Sequence, residues 1–106
     1  MTTDRMREER ITWLRVEFAE AIEHCERGDM TRRDLHTHST QHTTQEEIDA
    51  LGDELLRYAF WAMQHYLHQP ACWAPTAEEM AYLKRCLRDE DLFDTDQVEF
   101  SVRHGS

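Results

Sequence analysis

Apolar residues recur every three or four positions over most of the chain, which is helical rather than strand spacing. The clearest run is Gln45 to His68. Ile48, Leu51, Leu55, Tyr58, Ala59, Ala62 and Tyr66 form one stripe, and Leu56, Phe60, Met63 and Leu67 widen it to about half the helix circumference or more. A stripe that wide must touch neighbours on two sides, while Asp53, Arg57, Gln64 and His68 mark the polar side. Thr44-Gln45-Glu46-Glu47 precedes the run as a capping box, in which the Thr44 hydroxyl and the Glu47 carboxylate satisfy each other's backbone amides. Gln69-Pro70 ends it, because the residue before a proline is pushed out of the helical region. The pattern therefore predicts one helix of about 36 Å over 45–68. Gly52 inside it costs roughly 1 kcal/mol against alanine, and close packing against a neighbour accounts for its presence.

Two further helices are predicted around this one. Asp4 caps a first helix over about 4–27, whose core stripe is Ile11, Leu14, Phe18, Ile22 and Cys25 and whose stop is Gly28. Thr76-Ala77-Glu78-Glu79 is a second capping box and opens a helix over about 77–88, with Met80, Leu83 and Leu87 facing the core and Tyr82 and Cys86 flanking them. Between Asp29 and Thr43 lies a polar connector in which Thr31 and Asp34 can start one short extra helical turn. Cys72 and Trp73 are expected to tuck against the bundle. Residues 89–106 read as an acidic tail in which Leu92 and Phe93 can dock, and in which Val98, Phe100 and Val102 alternate with polar residues. The expected fold class is all-α: a small antiparallel bundle of three main helices in a single domain over 1–106.

Composition supports this. Only three glycines and two prolines interrupt 106 residues, and hydrophobic residues make up 40%, enough for one small core. No apolar run reaches the roughly 18 residues of a membrane span, and no signal peptide is evident. Cys25, Cys72 and Cys86 lack metal-type pairing and fit reduced thiols in a cytoplasm. The formal net charge of −10 opposes direct binding of nucleic acid through phosphates and of anionic membranes. A basic protein surface is the compatible partner; oligomeric state is not encoded in any pattern.

Searched for chemistry, the chain holds no glycine-rich phosphate loop, no Gly-x-Ser-x-Gly elbow and no His-Glu-x-x-His helix. His36, His38 and His42 concentrate imidazole in the connector, but no Cys, Asp or Glu completes a known ligand spacing there, so a solvated histidine-rich loop is expected, with no metal and no cofactor. Glu17-x-x-Glu20 and Glu46-x-x-Asp49 could set four carboxylates on facing helices around Mg²⁺. This spacing, with Leu51-Gly52-Asp53-Glu54-Leu55-Leu56, resembles the MazG-type all-α nucleotide pyrophosphohydrolases over about 13–63. That resemblance implies Mg²⁺-dependent hydrolysis of a nucleoside triphosphate, although Ala50 stands where the family's metal-binding Glu would be. The enzyme is the alternative reading.

The leading reading is a non-enzymatic protein-binding inhibitor. Trp13 and Val16 project from the polar face of the first helix among Glu9, Glu17 and Glu20, either as an aromatic anchor framed by carboxylates or as a face that a third helix covers. Trp61 is a second aromatic on a polar face. Asp89, Glu90, Asp91, Asp94 and Asp96 form a secondary acidic surface. The profile of a short, acidic, helical chain resembles the small anti-CRISPR proteins of phages and mobile elements, type I-E in particular. It implies occlusion of a Cas protein, either the crRNA-guided surveillance complex or its nuclease-helicase. These proteins share no motif, so the resemblance assigns no residue a role.

Overall fold

The computed structural model describes residues 2–69, 71 and 74–94, with side chains from residue 5 onward. Among the described residues the chain forms five α-helices and no strand: α1 (Thr2–Glu26), α2 (Arg32–His42), α3 (Gln45–Leu51), α4 (Glu54–His65) and α5 (Ala77–Leu87), with a 3-10 turn over Tyr66–His68. The all-α class holds; the three-helix count does not, for two local reasons described next. Expectations for Cys72, Trp73, Asp96 and the alternating Val98, Phe100 and Val102 fall outside the described residues.

α1 follows its stripe closely. Leu14, Phe18 and Ile22 are fully buried, with Ile11 and Cys25 packed at the margin. The helix is already formed at Thr2, so Asp4 lies within it rather than at its cap. Gly28 stops it at φ +84°, and the amides of Gly28 and Asp29 return to the carbonyls of Cys25 and His24 at 3.2 and 2.9 Å. This is the paired bonding of a glycine-terminated helix end.

The expected connector is instead a full helix, α2. Thr31 and Asp34 form a reciprocal capping box at its start, so the motif that suggested one turn nucleates three. Apolar periodicity hid the helix because its buried face consists of only Leu35 and Ser39, one turn apart. Ser39 satisfies its hydroxyl by donating to the His36 carbonyl at 2.7 Å, so a polar residue sits in the core at no unmet hydrogen-bond cost.

The expected 45–68 helix is broken at Gly52, which takes a left-handed conformation at φ +67° and ends α3. Asp53 then starts α4: its Oδ1 accepts from the amides of Leu55 and Leu56 at 3.0 and 3.5 Å. Close packing does not explain the glycine. A Cβ there would meet only the tip of the Arg7 side chain, at 3.8 Å; backbone conformation is what calls for glycine. Two arginines of α1 hold the break. Arg7 Nε donates to the orphan Leu51 carbonyl at 2.9 Å, and Arg15 Nη2 and Nε donate to Asp53 Oδ2 at 2.8 and 3.1 Å. Asp53 is thus a paired helix cap rather than part of a wet face. Thr44 caps α3 through the Glu47 amide, but the Glu47 carboxylate turns away from the expected capping box to Arg10.

The wide stripe of α4 is buried as its pattern requires, through Leu55, Leu56, Ala59, Phe60, Ala62 and Met63, and the helix touches each of the other four. Trp61 belongs to this packed region and lies 4.6 Å from the His65 ring, so it is not an exposed aromatic. α5 is capped reciprocally by Thr76 and Glu79 and buries Met80, Tyr82, Leu83, Cys86 and Leu87. Beyond it, Phe93 docks edge-on against Tyr58 at 5.2 Å, while Leu92 is exposed. Tyr82 fixes this segment by donating to the Leu92 carbonyl at 2.6 Å and accepting from the Asp94 amide at 2.8 Å. No helix is long and apolar enough to cross a membrane among the described residues.

Candidate functional site

The outer face of α1 carries the candidate site. At 100° per residue, Met6, Glu9, Trp13, Val16 and Glu20 fall on one stripe. Trp13 is 43% exposed and Val16 49%, and Met6 is exposed as well. Among the described residues α2 flanks Trp13 through His42 while leaving it 43% exposed, and an open concavity lined by Arg5, Glu8, Glu9, Thr12, Trp13 and Val16 runs beside it. Met6 was not singled out from the sequence, although its place seven residues before Trp13 puts it on the same face.

Trp13 is exposed but held. Its ring stacks on His42 of α2, with centroids 5.7 Å apart and planes 17° from parallel. The Arg10 guanidinium sits 4.8 Å from the indole centroid, within the range of a cation–π contact. Arg10 is itself anchored: Nε and Nη2 each donate to the Glu47 carboxylate at 2.9 Å, and Nη2 also reaches the His42 carbonyl at 2.7 Å. Thr43 Oγ1 donates to the same carboxylate. Hydrogen bonds from Arg10, and then from Thr43, hold the Glu47 carboxyl below its usual range against the opposing effect of burial. One arginine therefore joins α1, the end of α2 and the start of α3, and positions the aromatic ring.

Glu17 does not share the outward face. It turns toward α2, where its Oε2 lies 3.7 Å from His38 Nε2 and 3.6 Å from His42 Nε2. The two imidazoles stack at 4.1 Å between centroids. The side chains of Glu17, His38 and His42 are 26%, 19% and 29% exposed, and one donor atom from each lies within 4.8 Å of the other two. His38 Nδ1 is buried without a hydrogen-bond partner. Burial, and then the neighbouring His42, lower the His38 pKa against the opposing pull of Glu17, which favours neutral imidazole. His36 lies elsewhere on α2 and does not join the group. Spacing could have flagged His38 and His42, since four residues apart is one face of a helix, but only once 32–42 is read as helical. Glu17, distant in sequence, carries no local signal.

The other candidate groups separate. Glu46 and Asp49 are exposed on α3; Asp49 accepts from Gln45 at 3.0 Å and lies 3.9 Å from Arg57. Among the described residues the four carboxylates of the pyrophosphohydrolase-like pattern do not converge; the group that converges is Glu17 with the two histidines. In the secondary acidic surface Asp89, Glu90, Asp91 and Asp94 are exposed, with Asp91 3.5 Å from Arg85 and Asp89 3.8 Å from Arg15. Burial raises the Cys25 and Cys86 thiols above their usual pKa, which makes them poor nucleophiles. No family model, curated protein or solved structure matches this chain.

Proposed function

We propose that this protein is a non-enzymatic binding module that presents the outer face of α1 to a basic protein surface. The observation that carries the reading is Trp13: a large aromatic, 43% exposed, yet pre-positioned by His42 and Arg10. Holding the ring before contact reduces the conformational entropy lost on binding. Met6 and Val16 extend the apolar area, and Glu9 and Glu20 form its rim. The net charge of −10 steers such a module toward cationic partners. The resemblance to small acidic anti-CRISPR proteins suggests a partner class with such a surface, a type I surveillance complex or its nuclease-helicase, whose nucleic-acid grooves an acidic protein would occlude.

The test is kinetic. The protein is immobilised and titrated with a purified type I-E surveillance complex and, separately, with its nuclease-helicase. Trp13→Ala is expected to weaken binding about 30-fold or more, mainly through faster dissociation. Glu9→Arg with Glu20→Arg is expected to slow association and flatten its salt dependence. Glu17 is left intact because it faces the histidines rather than the rim. Binding that neither variant alters would refute the α1 surface, and absence of binding to both complexes would refute the anti-CRISPR assignment.

A further inference from the structure

The contact between Glu17, His38 and His42 has the spacing of metal ligands rather than of hydrogen-bonded partners. An N–H···O hydrogen bond spans roughly 2.7–3.2 Å, and both imidazole Nε2 atoms stand beyond that from Glu17 Oε2, at 3.7 and 3.6 Å. Zinc bound tetrahedrally at about 2.0–2.1 Å sets neighbouring ligand atoms roughly 3.4 Å apart, only a few tenths of an ångström closer than those two pairs. All three donors lie within 4.8 Å of one another, so small side-chain rotations suffice to close the set.

We propose that Glu17, His38 and His42 form a transition-metal site for Zn²⁺ at the seam between α1 and α2. Two imidazoles and one carboxylate are an established zinc donor set, and imidazole nitrogen disfavours Mg²⁺ and Ca²⁺, which take oxygen. The two histidines come from successive turns of one helix and their ring centroids are 4.1 Å apart, so a turn of each ring about its side-chain bonds brings both Nε2 lone pairs onto one ion. The negative charge of Glu17 offsets that of the ion. Partial exposure of all three side chains leaves the fourth position to water. Zinc here would link α1 to α2 and fix the His42 ring on which Trp13 stacks. The site stands independently of the protein-binding reading, since it needs no partner.

The experiment is calorimetric titration of the full chain with Zn²⁺, paired with thermal melts. The expected result is saturable binding of one ion per chain and a melting temperature that rises with Zn²⁺, by roughly 10 °C at a hundredfold excess over Kd. His38→Gln and His42→Gln should each weaken binding at least tenfold and remove the melting shift, Glu17→Gln should weaken it tenfold, and His36→Gln should change neither. Circular dichroism of each variant checks the fold. Should His38→Gln fail to fold, the more exposed His42→Gln and Glu17→Gln decide. Absence of saturable one-to-one binding overturns the proposal, as does affinity undiminished in His42→Gln or Glu17→Gln.

Discussion

Gly52 and Asp89 occupy the same left-handed region of the backbone, at φ +67° and +59°. Each follows a helix: Gly52 ends α3, and Asp89 follows α5, where the Glu90 amide returns to the Arg85 carbonyl at 2.8 Å. A Cβ in this region costs about 1–2 kcal/mol. Gly52→Ala is therefore expected to destabilise the protein by about 1–2 kcal/mol, read by urea denaturation, although space for a methyl group exists. Asp89→Gly relieves the same strain and increases the entropy of the unfolded chain, so a net gain of about 0.5 kcal/mol is expected. A neutral Gly52→Ala would mean that α3 and α4 can join into one helix.

At the scale of elements, charged side chains do much of the positioning. Glu23 of α1 accepts from Arg88 at the end of α5 at 2.9 Å and pairs with Arg27, the residue just past the end of α1. Hydrogen bonds from Arg88 and Arg27 pull the Glu23 carboxyl from its ordinary 4.5 down to about 2. A carboxyl depressed in the folded state contributes stability above its unfolded pKa and loses it as pH falls through the folded one. The melting advantage of the native chain over Glu23→Gln should thus be constant above about pH 5 and shrink progressively from pH 4.5 towards 2. A constant gap across that window would show that the α1–α5 pairing does not depend on charge. At the α3–α4 break, Arg15→Ala leaves the largely shielded Asp53 carboxylate without its two guanidinium donors. A loss of about 1.5–3 kcal/mol is expected in the same denaturation assay, the range for hydrogen bonds to charged groups.

Over the whole molecule, core and presented surface separate cleanly on α1. Phe18 on the inner face stacks on Phe60 of α4 with ring centroids 6.2 Å apart, and both are buried. Trp13 on the outer face stacks on His42 at the margin between α1 and α2 and stays 43% exposed. Phe60→Ala is expected to cost about 3–5 kcal/mol, and Trp13→Ala about 1 kcal/mol or less, compared by denaturation under identical conditions. Equal losses would place Trp13 among the structural residues and remove the face proposed for binding.

Local patterns in the sequence determined the helical class, the core stripes of α1 and α5, the stop at Gly28 and the starts at Thr44 and Thr76. Each depends on residues within a few positions of one another, where periodicity and capping act directly. The long 45–68 helix failed because a break also needs distant support: Gly52 permits it, but Arg7 and Arg15 of α1 satisfy the exposed Leu51 carbonyl and the Asp53 cap. The capping box at Thr31 and Asp34 marks the start of α2, but the inward face of Leu35 and Ser39 is too small to show that the short turn expected there extends to eleven residues. The division of the predicted α1 surface was likewise decided in three dimensions. Glu9, Trp13, Val16 and Glu20 face outward, whereas Glu17 meets His38 and His42, because α2 packs along that side of α1. Helical spacing places Glu17 within reach of both faces, and only the packing of a second helix selects between them.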